Sequence, residues 1–122
     1  MLDNGYLGNA HLKRAGTDLE YTQEQAIEIA KCISDPIYFI KTYVKIVNVD
    51  HGLVPFQMWP FQETMVRTFH EERFSICKMP RQVGKTTTTV GYMLWSALFN
   101  EEFVIGILAN KLQLAQDILA KI

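Results

Sequence analysis

The 122 residues are 48% hydrophobic and 20% charged, with a formal net charge of -1. This is the composition of one globular domain with a single modest core. It offers no general attraction for a polyanion, so any contact with nucleic acid has to come from a local patch. Cys32 and Cys77 stand far apart without metal-type spacing, which points to reduced thiols rather than a disulfide or a zinc site. The longest apolar run, residues 103–109, is far below the roughly 20 residues needed to span a bilayer. No secretory leader is visible, so an intracellular protein without a membrane partner is expected.

Residues 1–21 mix Asn, Gly and charged side chains without a sustained period and read as a loosely held arm. Thr22 followed by Gln25 forms a capping-box pattern, and Ala26, Ile27, Ile29, Ala30 and Ile33 then make one apolar stripe, which predicts a first helix. Asp35-Pro36 ends it and starts a second, since aspartate caps well and proline suits the first helical position. Phe39, Ile40 and Tyr43 are the expected buried side of that helix. Lys45–Val49 and Leu53–Phe56 flank Asp50-His51-Gly52, the pattern of a hairpin or tight turn with glycine at positive φ and His51 as an ordinary turn residue.

Pro60 opens a further helix. At about 100° per residue, Phe61, Met65, Val66 and Phe69 share one arc, and Gln62 lies inside it. An inward amide needs partners, because leaving it unsatisfied costs about 1–3 kcal/mol. Two readings stand side by side: a glutamine bonded to backbone, or one that meets the edge of an adenine, which both donates and accepts.

The sequence is organised around residues 79–89, MPRQVGKTTTT. Gly84-Lys85-Thr86 ends a G-x-x-x-x-G-K-[ST] pattern in which backbone N–H groups surround phosphate, the lysine neutralises charge and the hydroxyl binds Mg²⁺. The first glycine of that pattern is replaced by Met79. Residues 74–79 read as a short buried strand before the loop, and Val90, Met93, Leu94, Ala97 and Leu98 repeat at helical spacing after it. The threonine run marks a helix N-terminus, where hydroxyls are useful and β-branching costs least. Residues 103–109, FVIGILA, read as a strand covered on both faces, and Asn110 as the cap of a last helix carrying Leu112, Ala115, Ile118, Leu119 and Ile122. The expected fold is therefore α/β: an incomplete parallel P-loop NTPase sheet of the ASCE/RecA-like kind, preceded by a helical segment and a short hairpin. No apolar run ends in the Asp or Glu that a hydrolytic P-loop site uses to hold Mg²⁺.

Four stretches, DPIYFIKTYVKIV from Asp35, PFQ from Pro60, ICKMPRQVGKTTT from Ile76 and VIGILANK from Val104, together resemble the large terminase subunit of tailed bacteriophages, myovirus type. The resemblance spans nearly all the chain. It turns the missing glycine into an identifying feature, because that family's loop typically lacks it and carries Arg-Gln before the lysine. It implies the ATP-driven motor that packages double-stranded DNA, with ATP and Mg²⁺ as cofactors. The implied partners are the portal protein, the small terminase subunit and further copies of the motor subunit, in the cytoplasm of the infected host, docked on the prohead. By position it implies adenine recognition by Gln62 beside Phe61, phosphate binding along Arg81, Gln82, Val83, Gly84, Lys85, Thr86 and Thr87, and Mg²⁺ at Thr86. Lys85 and Arg81 would be catalytic, Arg81 as a charge-stabilising finger. The division that follows is an arm at 1–21, helices and hairpin at 22–59, and the first half of a P-loop ATPase domain at 60–122, an N-terminal portion without acidic site or nuclease. A helicase-like P-loop ATPase and a nucleotide-binding or interaction module without turnover are the alternatives.

Overall fold

A computed structural model describes residues 20–122 together with residues 6, 7, 9, 12, 15, 16 and 18; most of the arm read at 1–21 lies outside the described residues. The molecule is a mixed helix and sheet fold whose elements run α1 (Gln23–Ser34), α2 (Pro36–Tyr43), β1 (Lys45–Asn48), β2 (Gly52–Pro55), α3 (Pro60–Glu71), α4 (Lys85–Phe99) and α5 (Leu112–Leu119).

Local chemistry fixes the first half. Thr22 Oγ1 accepts from Gln25 N–H and Gln25 Oε1 accepts from Thr22 N–H, closing both halves of the capping box at the start of α1. Asp35 Oδ1 accepts from Ile37 N–H with Pro36 at the first position of α2, so one aspartate ends one helix and begins the next. β1 and β2 pair antiparallel, Lys45 opposite Pro55 through Asn48 opposite Gly52. The turn between them is held by Asn48 Oδ1, which accepts from both Asp50 N–H and His51 N–H, and by Gly52 at φ +69°. His51 is an exposed turn residue, as its sequence context predicts.

The core lies where α1, α2, α3, α4 and the chain just after β2 meet. Cys32, Ile37, Phe39, Ile40, Phe56, Val66 and Trp95 are buried together, and the Trp95 indole N–H donates to the Cys32 carbonyl at 2.7 Å, tying α4 to α1. An ion pair between Lys41 and Glu63 joins α2 to α3 across the surface. The buried face of α4 differs from the one predicted: Thr88, Gly91, Trp95 and Ser96 point inward with Val90, whereas Ala97 and Leu98 are exposed. Trp95, with the largest apolar area on the helix, sets the rotation, and the polar Thr88 and Ser96 enter the core by bonding carbonyls one turn back.

The stretches read as parallel strands are a correction. Neither 74–79 nor 103–109 forms a strand, and the only ladder of two or more pairs among the described residues is the hairpin. Ile76 and Leu108 are each 98% exposed. An apolar run becomes a strand when neighbours supply N–H and C=O partners, and among the described residues nothing pairs with these two. α5 also starts later than predicted, with Lys111 rather than Asn110 at its N-cap, and it buries no residue. No helix of the described residues is long and apolar enough to cross a membrane.

Candidate functional site

The loop between residues 79 and 85 delivers the chain into α4 without a side-chain cap. Gly84 is the N-cap, in the left-handed region at φ +72°, and the first helical bond runs from Thr88 N–H to Gly84 O. The N–H groups of Gly84, Lys85, Thr86 and Thr87 therefore have no helical partner, and they stand at the positive end of a helix 15 residues long. Such an end accepts an anion readily.

Position 79 explains why the loop tolerates methionine there. Among the described residues the positive-φ positions of this loop are Gln82, at φ 60°, and Gly84. Met79 is not one of them, so no glycine is required at 79. What the site takes from Met79 is its carbonyl, which accepts from Lys85 Nζ at 3.1 Å. That bond parks the ammonium beside the loop. A phosphate oxygen in its place would make a stronger, charge-assisted bond, so exchange of carbonyl for phosphate is favourable.

The four threonines divide by function. Thr88 and Thr89 hydroxyls donate to the carbonyls of Gly84 and Lys85 at 2.9 and 2.8 Å and are spent on the helix itself. Thr86 is exposed and its hydroxyl makes no hydrogen bond among the described residues, and Thr87 is half-buried. Thr86 thus fits one ligand position of a phosphate-bound Mg²⁺, which takes most of its remaining ligands from phosphate and water. Among the described residues no group of three or more His, Cys, Asp or Glu side chains gathers to hold a metal. Arg81 is exposed and, among the described residues, pairs with no acid.

Gln62 is 4% exposed and is the link between the loop and α3. It is the third residue of α3, and its Oε1 accepts from Trp59 N–H at 2.9 Å, the reciprocal half of a capping box. Its Nε2 donates to the Val83 carbonyl at 3.1 Å. These two partners fix which end of the amide is which. An amide offers two donors and two lone pairs, so one of each remains after both bonds. The packing around it is close: a Cβ on Gly84 would lie 2.6 Å from Gln62 Nε2.

Beside the loop opens a pocket of about 520 Å³, in the size range of small-molecule sites. Phe61, Gln62, Gln82, Val83, Gly84 and Thr87, all singled out from the sequence, line it. Arg81, Lys85 and Thr86 do not; they sit at the loop and helix end. Four further lining residues, Ile46, Phe56, Gln57 and Trp59, were not singled out from the sequence. Trp59 carries a legible signal in retrospect, an aromatic residue one before the proline that starts α3 and three before Gln62. The hairpin's part carries none, because nothing local says that β1 folds back toward the loop.

A second cavity, of about 340 Å³, lies away from the loop against Glu28, Cys32, Phe39 and Phe99. Its one carboxylate is already satisfied: Tyr38 and Tyr43 hydroxyls donate to Glu28 Oε1 at 2.6 and 2.9 Å. These bonds hold the Glu28 carboxyl below the usual range and push the Tyr43 phenol up to about 12. This cavity contains none of the predicted site residues. No protein-family model matches the chain.

Proposed function

We propose that this chain is the nucleotide-binding part of an ATP-driven DNA-packaging motor of the large terminase type, with ATP held by the loop 79–87. The single observation that carries the reading is Lys85 at the first turn of an uncapped helix whose N–H groups adjoin a pocket walled by Gln62 and aromatic side chains. The N–H groups of residues 84–87 and Lys85 would hold the phosphates, Thr86 would offer one ligand to the Mg²⁺ that neutralises them, and Phe61 and Gln62 would hold the base in the pocket. Arg81, exposed and without an acidic partner among the described residues, can reach charge that develops on a transferring phosphoryl group.

The parallel sheet belongs to the same reading. Exposed Phe74, Ile76, Val104 and Leu108 are the apolar faces that further strands would cover, and those strands would also bring the acid that holds Mg²⁺ and aims a water. The chain by itself then binds nucleotide without turning it over. Double-stranded DNA, portal, small subunit and neighbouring copies are partners of the assembled motor, in the infected cell.

Calorimetric titration with MgATP tests the reading: binding is expected, and Lys85→Ala should abolish it. In a longer motor protein carrying this sequence, Arg81→Ala should lower hydrolysis by about 10³-fold or more while ATP affinity stays within about tenfold. Unchanged ATP binding in Lys85→Ala would remove the loop from the account.

A further inference from the structure

We propose that Trp59 is the stacking wall of the base pocket and supplies most of the affinity that the base adds to the phosphates. The proposal rests on the nucleotide reading above and assigns a residue that the loop pattern does not contain.

Trp59 lines the pocket, yet it is 67% exposed. A large indole left in water is an expensive way to end a turn, and it gains by covering its face with a planar partner. Its main chain is held in place. Trp59 N–H donates to Gln62 Oε1, and the Trp59 carbonyl accepts from Gln62 N–H and Glu63 N–H at 2.9 and 3.1 Å. Pro60 fixes the direction of the next residue. The backbone under the indole is therefore preorganised, and ordering it costs little on binding.

The same amide that holds Trp59 also holds the loop, through Gln62 Nε2 to Val83 O. Wall and phosphate loop thus share one buried connector, which sets their separation. Gln62 has spent half its hydrogen-bonding capacity on this, leaving one donor and one lone pair for a base edge. Such a small polar contribution leaves stacking as the dominant attraction, and stacking on an aromatic face tolerates any base. The occupant is accordingly a planar base attached to a phosphate chain, with the base on Trp59 and the phosphates at the start of α4.

Two ligands separate the base wall from the phosphate loop. The full chain is titrated with MgATP and with magnesium tripolyphosphate, which has the charge but no base, for wild type, Trp59→Ala and Trp59→Phe. Dissociation constants and tryptophan emission are both read; Trp95 is buried in the core, so a change in emission reports Trp59. Wild type should bind both ligands and lose emission with ATP alone. Trp59→Ala should weaken ATP about tenfold to a hundredfold and leave tripolyphosphate unchanged, and Trp59→Phe should stay within about threefold of wild type. Equal ATP affinity in Trp59→Ala, or an equal loss for both ligands, would overturn the wall. Wild type binding tripolyphosphate as tightly as ATP would overturn the base pocket alone. Wild type binding neither would overturn the nucleotide reading, and the wall with it.

Discussion

Helices α1 to α4 and the hairpin are packed against one another around Ile40, Val66 and Trp95, while residues 74–79, 103–109 and α5 contain no buried residue and leave Phe74, Ile76, Val104, Leu108 and Leu112 largely in solvent. The two regions differ in whether partners are present, and it is not a lack of apolar residues that leaves the second one unpacked. Helices can meet that need locally, because each satisfies its own backbone and has only a stripe to bury. The apolar runs that flank the loop need a sheet, and their hydrogen bonds must come from other strands. The candidate site sits at the boundary. Its base pocket is built by the packed region, and its loop emerges from the unpacked one.

Substitutions in the packed region should cost far more than those in the exposed segments. Trp95→Ala removes the largest buried side chain and the bond to Cys32 O, and about 3–5 kcal/mol should be lost. Domains of this kind have roughly 5–15 kcal/mol in total, so chemical denaturation should show a much lower midpoint or no cooperative transition. Gly84→Ala should come next. It places a Cβ 2.6 Å from Gln62 Nε2 at a left-handed φ, with a cost of about 1–3 kcal/mol, and it should displace Gln62 and weaken MgATP in the same sample.

How much of this was legible in the sequence follows the same boundary. Thr22, Gln25, Asp35, Pro36 and Gly52 act within a few residues of themselves, and the helices and hairpin that they predict are present. Gln62 was readable as an inward amide, but its partners were not, since Val83 lies 21 residues away. The strands expected at 74–79 and 103–109 rest on apolar alternation and on a continuous apolar run, patterns that cannot supply a segment's neighbours. The inward face of α4 was misread because Thr88 and Ser96 enter the core with their hydroxyls bonded to the helix itself.

A smaller effect sharpens the packed side through pH. Tyr38 and Tyr43 hold the Glu28 carboxyl below its ordinary value of about 4.3. The folded pKa is thus the lower one, and this contribution is present above the unfolded value and lost as pH falls through the folded one. Melting temperature measured from pH 6 downward should fall in wild type, and the part of that fall due to Glu28 should be missing in Glu28→Gln. The Tyr43 phenol, raised to about 12, keeps its proton throughout this range. Ile76→Ser should have the smallest effect, within about 0.5 kcal/mol, because the side chain is already in water. The same change in a longer protein whose sheet is complete should cost several times more, and equal small effects in both would mean that no sheet forms on this segment.

In the proposed complex the start of α4 holds phosphate and the pocket beside it holds a base. Backbone amide spectra of the chain, recorded through a titration with MgATP, test it residue by residue. The N–H signals of Gly84, Lys85, Thr86 and Thr87 should move together with the Trp59 indole signal, along one saturating curve, while those of α1 stay still. Amides 84–87 that remain unmoved at saturating ATP, or shifts gathered instead around Glu28 and Cys32, would contradict it.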